Sequence, residues 1–341
     1  MENAVRISIA DAQELIVRLL QANGVSDDCA VPVAAALVAA EAEGQVGHGF
    51  SRLDDYIAQV RSGKINAQAK ITSRLTSQTS VLTNADCGFA YPALDRAIEW
   101  GAKIAKTQGT STMSVFNSHH CGALSLQVEK LAQQGLVGIM MANAPKAIAP
   151  WGASVPVYGT NPIAFAAPRK NNDPLVIDLS LSKVARGKVM HAKKTGQPIP
   201  EGWALNRAGQ PTTTAQEALD GSMLPIGGAK GTSLALMVEI MATAFAGGMF
   251  SKDASSFFTP DGSAPRVGQF LIAINPGQNS GPFLDRLEEL LDHITQLDGA
   301  RLPGERRLEC RHNAREHGLL VPSQYLRSAE SLARSSVPQY V

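Results

Sequence analysis

Charge of one sign is the first thing missing. The 341 residues carry 31 Lys and Arg against 30 Asp and Glu, a formal net charge of +1. With no dominant field, neither nucleic acid nor an anionic membrane is expected as a partner. Cysteine is scarce as well: Cys29, Cys87, Cys121 and Cys310 form no CxxC pair. That spacing excludes a disulfide framework and a zinc site and fits reduced thiols, so a cytoplasmic protein is expected. Met1 to Arg6 lack the basic-then-apolar order of a secretory signal. No uninterrupted membrane-length apolar run occurs either. The most apolar window, Leu234 to Phe250, carries Glu239 and a Gly pair, which predicts a buried helix rather than a span. Nucleotide signatures are missing too. No G-x-G-x-x-G follows a strand, and Gly227 to Gly231 lack the spacing of a phosphate-binding P-loop. Any nucleotide must be held by another scaffold.

What is present is ordinary globular material, 44% hydrophobic and 18% charged, long enough for two lobes. Ser8-Ile9-Ala10-Asp11 resembles a capping box, followed by the apolar stripe Leu15, Ile16, Leu19, Leu20 and a stop at Asn23-Gly24. An alanine-rich helix runs from Ser26 to about Glu43, and a third begins near Ser51. Short β-branched or apolar runs follow at Thr79–Asn84, Thr112–Asn117, Val137–Ala142, Pro162–Ala167, Leu175–Asp178 and Phe270–Asn275. Helical patterns occupy Ala90–Gln108, Leu124–Gly135 and Phe283–Leu297, and Lys252–Arg266 reads as loop. The expected organisation is a helical N-terminal lobe over 1–62, joined by 281–341, around a central α/β domain over 63–280.

Three segments carry chemistry. His48 stands four residues before Arg52, and in a helix both would share a face, with Tyr56 one turn further. Arginine offers a planar fork to a carboxylate, and histidine exchanges a proton near neutral pH. A helix-start histidine beside a solvated arginine is the plainer alternative. His119 and His120 are adjacent, so in an extended strand they face opposite ways. The helix start after Gly122 offers backbone N–H groups that suit a phosphate, and no carboxylate or third histidine stands at metal-ligand spacing. Gly159-Thr160-Asn161-Pro162 is a turn whose hydroxyl could meet a polar substrate. Asp178-Leu179-Ser180 ends a strand. Arg306 and Arg307, after Pro303-Gly304-Glu305, could clamp a ribose phosphate, although by themselves they read more plainly as exposed charge.

Taken together with Ala149-Pro150-Trp151-Gly152, Ile199-Pro200-Glu201-Gly202-Trp203 and Leu224 to Gly231, these segments resemble the malate/L-lactate dehydrogenase family across almost the whole chain. The resemblance implies a non-Rossmann α/β fold with a largely antiparallel central sheet flanked by helices. It implies a homodimeric oxidoreductase using NADPH, with NADH as the alternative, on a small carboxylate substrate. By similarity His48 is the proton donor, while Arg52 and Thr160 bind substrate. His120, Cys121, Gly122, Ala123, Leu124, Asp178, Leu179, Ser180, Ala229, Lys230, Gly304, Glu305, Arg306 and Arg307 match cofactor segments. The Ser118-His119-His120 doublet, Ala42-Glu43-Gly44 and Pro145 to Pro150 look closest to the branch reducing Δ1-pyrroline-2-carboxylate and Δ1-piperideine-2-carboxylate, in proline metabolism. Two positions depart from that branch: Gly47 replaces the usual Ser before the histidine, and Lys188 stands where an acidic residue is usual, so its Ser–His–Asp relay is absent. A 2-hydroxy-acid dehydrogenase is the nearest rival, and a non-catalytic binding homologue the distant one.

Overall fold

The computed structural model describes residues 4–278 and 281–334, so the last seven residues of the expected C-terminal segment lie outside it. The chain begins with β1 (Ala4–Ile7), α1 (Ile9–Ala22), α2 (Asp27–Ala42), two 3-10 turns (Val46–His48 and Phe50–Arg52) and α3 (Leu53–Arg61). Next come β2 (Thr72–Ser77), β3 (Ser80–Asn84), α4 (Ala90–Gln108), β4 (Thr110–Ser118), α5 (Ser125–Ala132), β5 (Val137–Ala142), β6 (Ile163–Ala167) and β7 (Leu175–Leu179). A smaller excursion holds α6 (Arg186–Thr195), β8 (Ala204–Leu205), α7 (Ala215–Asp220) and β9 (Ser222–Met223). The remainder is α8 (Ala229–Glu239), running into a π-helical turn (Ile240–Phe245), then β10 (Val267–Ile274), α9 (Phe283–Thr295), α10 (Glu305–His317), β11 (Leu319–Pro322) and α11 (Ser323–Arg334).

Seven strands form the central sheet in the order β2-β3-β4-β10-β5-β6-β7. Every pairing is antiparallel except β3 with β4. Alternation sorts its side chains between two faces. Met140 joins Val115, Val176 and Leu271 beneath α4 and α5, while Met141 and Ile163 turn the other way, toward Ala235 and Val238 of α8. The sequence pattern led to the expectation that α8 is buried. Only one side is: Leu234, Leu236, Met237, Ile240 and Phe245 remain exposed on α8 and its π-helical continuation.

The two ends of the chain share one core. β1 pairs antiparallel with β11, and Leu15, Ile16, Leu19 and Leu20 pack in a cluster that also contains Leu319, Val321 and Ala329. Ser8 caps α1 as its sequence suggests, its Oγ accepting the Asp11 N–H at 3.0 Å. Helix α2 is buried along most of its length because α1 packs against it on one side and α4, α5 and α10 on others. Its Val33 and Leu37 face the helical core, and Ala40 meets Ala123 and Leu126 at the start of α5. That packing carries the 46–52 turns to the end of β4.

Candidate active site

His48 and Arg52 do not lie on one helix, contrary to the expectation from their spacing. Extended backbone at Gly49 separates the two 3-10 turns, and α3 starts only at Leu53. Two side chains hold this arrangement. Buried Glu41 accepts the Phe50 N–H through Oε2 at 2.9 Å, an approach open only because position 49 is glycine: a Cβ there would fall 2.0 Å from Oε2. Burial pushes the Glu41 carboxyl up to about 7 against the pull of that N–H. Across the turn, the Gln45 carbonyl accepts the His48 N–H at 2.8 Å, while its Nε2 donates to Glu43 Oε2 and to Ser125 Oγ.

Arg52 is buried and held from several sides. Nη1 pairs with Asp55 at 3.0 Å, Nη2 donates to the Phe257 carbonyl at 2.8 Å, and the guanidinium lies 4.5 Å from the Phe258 ring centre. Its Nε has no hydrogen-bond partner. Phe257 and Phe258 belong to the span expected as loop, and Lys64 clamps that loop by donating to the carbonyls of Ser256, Thr259 and Asp261.

The histidine doublet lies just past the end of β4, and its two rings do not part to opposite sides: both meet the rings of Tyr56 and Phe257. His119 is buried, with Nε2 at 3.0 Å from Gln59 Oε1. His120 has Nδ1 2.7 Å from Tyr56 Oη, and its ring stacks on His48 at 5.4 Å and 21°. Both also meet Phe257, each at 5.2 Å. Burial, then the charge of Arg52, pulls His48 down to about 4 and His119 to about 3, and depresses His120 strongly. All three are neutral at neutral pH. Among the described residues no cluster of His, Cys, Asp and Glu could hold a metal.

Thr160 sits on a turn fixed from beneath. Buried Asn161 donates to Glu239 Oε2 and to the Ala235 carbonyl, both at 2.9 Å, and Glu239 also accepts the Ser251 N–H at 2.7 Å. Glu239, noticeable in sequence only as a charge in an apolar run, is thus the anchor of this turn.

The segments expected at a cofactor converge. Asp178 Oδ2 accepts the Ser125 N–H at 2.8 Å, joining the end of β7 to the 120–124 loop. Gly304, the left-handed cap of α10, lies against Val176 of the same strand. Ile226, three residues before Ala229, donates to the Leu181 carbonyl just beyond Ser180. Leu179, Ala229, Lys230 and Arg306 are exposed, whereas Cys121, Gly122, Ala123 and Leu124 are buried. Asp178 is itself accessible yet hemmed in by protein, and that burial raises its carboxyl against the pull of Ser125, Leu124 and Arg307. Two glycine-capped helix starts, Gly228 and Gly304, border these residues, neither closed by a side chain. These residues fit a dinucleotide.

Two expectations need correction. The first N–H of α5 was expected to suit a phosphate, but Asp178 takes it. Arg307 was expected as half of a phosphate clamp, but its guanidinium is buried between Glu43 (2.9 Å) and Glu129 (2.8 Å), with Arg311 bound to the same two carboxylates. Arg306 alone stays exposed. Sequence reasoning missed Glu41, Gln59, Tyr91 and Phe257, whose roles depend on contacts far along the chain. Tyr56 was visible as a neighbour of Arg52, with no sign of its bond to His120.

The sequence profile of the malate/L-lactate dehydrogenase family matches residues 7–329. The chain is 47% identical over 332 residues to a (2R)-3-sulfolactate dehydrogenase (NADP(+)) of Chromohalobacter salexigens, covering 97% of this chain and 99% of that one. It is 38% identical over 330 residues to a Δ1-pyrroline-2-carboxylate/Δ1-piperideine-2-carboxylate reductase of Pseudomonas putida, covering 96% and 97%. The crystal structure of Δ1-piperideine-2-carboxylate reductase from Pseudomonas syringae superposes with a TM-score of 0.92 at 34% identity, covering 96% and 99%.

Proposed function

The chain belongs to the malate/L-lactate dehydrogenase family of NAD(P)-dependent oxidoreductases, and from that premise we propose that it oxidises a small, doubly anionic 2-hydroxy acid to the 2-oxo acid, with NADP as cofactor. The observation that carries this reading is the geometry around His48, a half-buried imidazole stacked on His120 near the fixed Arg52 guanidinium, where desolvation and that charge keep it neutral. Arg52 and Thr160 hold the substrate carboxylate, and the unprotonated imidazole accepts the hydroxyl proton. NADP, when bound along Asp178–Ser180, Ala229-Lys230 and the start of α10, supplies the hydride acceptor. Exposed Arg306 and the NADP(+) named for the 47% identical relative support the phosphorylated cofactor.

Basic residues in the first turn of α6 favour a second anionic group on the substrate. Arg186 donates to the Lys146 carbonyl at 2.9 Å and pairs with no carboxylate among the described residues, and Lys188 follows two residues later. The same lysine disfavours the imine reading, since a protonated cyclic imine is cationic and Lys188 stands where imine reductases carry an acid. That second reading retains support from the similarity to the reductases. A substrate panel tests both: 3-sulfolactate, malate and lactate with NADP+ and NAD+, against Δ1-pyrroline-2-carboxylate with NADPH and NADH. The expected result is fastest turnover of a dianionic hydroxy acid with NADP+. Faster reduction of the imine would overturn it, and no turnover of any substrate would point to a binding homologue.

A further inference from the structure

A histidine that moves protons needs its ring held in one orientation, usually by a hydrogen bond to the nitrogen away from the substrate. His48 has no such bond. Its Nδ1 is buried and without a hydrogen-bond partner, and residue 47 is glycine, with no side chain to offer one. What touches the ring is His120, stacked on it at 5.4 Å with the planes 21° apart. His120 is in turn fixed by a short chain of hydroxyls: Nδ1 lies 2.7 Å from Tyr56 Oη, which lies 3.0 Å from Tyr91 Oη. Both tyrosines are fully buried. Room for the last hydroxyl depends on Gly122, where a Cβ would fall 2.7 Å from Tyr91 Oη.

We infer that His120, anchored by Tyr56 and Tyr91, is the positioning residue for His48, holding by ring contact the orientation that a hydroxyl–carboxylate relay would hold by hydrogen bonding. With Tyr56 Oη as donor, His120 Nδ1 accepts and its proton resides on Nε2. The stack then presents two neutral rings to each other, without repulsion between like charges. When His48 takes up a proton, the face of a neutral His120 remains beside the new cation. Arg52, by contrast, opposes that charge, so the orienting contact and the destabilising one come from different residues. The inference rests on His48 as the proton-transfer group.

The test uses His120→Ala, His120→Phe and Tyr56→Phe in the full-length enzyme, with His48→Gln as the reference. Turnover is measured with NADP+ and whichever hydroxy acid of the panel reacts fastest. His120→Ala and Tyr56→Phe are expected to lower kcat about 10- to 100-fold, the range seen when partners orienting a functional imidazole are lost, with KM within about threefold of its original value. His120→Phe keeps a flat ring and should recover part of the loss. A second readout needs no substrate: the His48 imidazole signal in the proton NMR titration of the free enzyme, assigned by its disappearance in His48→Gln. Opening one face of the ring to water in His120→Ala should move its midpoint from about 4 toward 6.5. An unchanged midpoint, or unchanged kcat in both His120→Ala and Tyr56→Phe, overturns the inference. Full activity in His48→Gln would instead sink the assignment of His48 itself.

Discussion

At the scale of single residues, the site works by desolvation. Arg52 is held by Asp55, Phe257 and Phe258, so its charge stays in place beside His48 and keeps the imidazole unprotonated. A proton acceptor must be neutral in the free enzyme, and kcat/KM reports that state. For oxidation, acid inhibition should therefore begin only as pH falls toward about 4, the depressed His48 value. Measured between about pH 5.5 and 8, kcat/KM should be flat, and a tenfold fall per unit beginning near the ordinary imidazole value would refute the depressed His48 value. Glu41 titrates inside this window, at about 7. Protonation leaves its second oxygen able to accept the Phe50 N–H, so the turn keeps its shape in either form.

Among elements, the main joint is an ion-pair cluster. The stop after α2 contributes Glu43, α5 contributes Glu129, and α10 contributes Arg307 and Arg311, all buried. The four charges cancel, and each arginine touches both carboxylates. This is why Arg307 is unavailable to a phosphate: its fork is spent tying α10 to Glu43 after α2 and to Glu129 of α5. Removing one carboxylate strands two buried guanidinium groups on the other. Glu129→Ala should cost about 3–5 kcal/mol of stability in urea unfolding, the range for breaking a buried pair. A loss below about 1 kcal/mol would mean that water or rearrangement compensates.

For the whole molecule, the unpaired surface of α8 has a consequence for assembly. Phe245 is 62% exposed and Ile240 49%, with Leu234, Leu236 and Met237 beside them in the chain. Apolar side chains gathered on one helix are costly to leave in water and suit a second copy of the same surface. We propose a homodimer through this face. Sedimentation at about ten micromolar should give the mass of two chains, with Ile240→Glu shifting it toward one, since a buried unpaired charge opposes association. A native mass of one chain would refute the proposal.

How much was readable in advance follows the range of the interactions involved. Local periodicity located α1, α4 and most strands of the sheet, because burial of a stripe or of alternate residues is written into neighbouring positions. The capping of α1 by Ser8 was likewise a local matter. Motif order identified the family, and with it His48, Arg52, Thr160 and the cofactor segments as candidates. Position 49 shows where that reading stopped: a spacing of four suggests one helix face, yet Glu41 reaches into the glycine gap and breaks the turn in two. The same holds for Arg307, exposed or buried according to which carboxylates the fold delivers, and for His120, whose partner Tyr56 lies 64 positions earlier in the chain. Amino-acid order by itself determined which chemical groups exist and which local elements form. Their protonation states, their pairing and the direction each side chain points were decided only when distant segments packed together and removed water between them, since desolvation and charge proximity are properties of three-dimensional neighbourhoods.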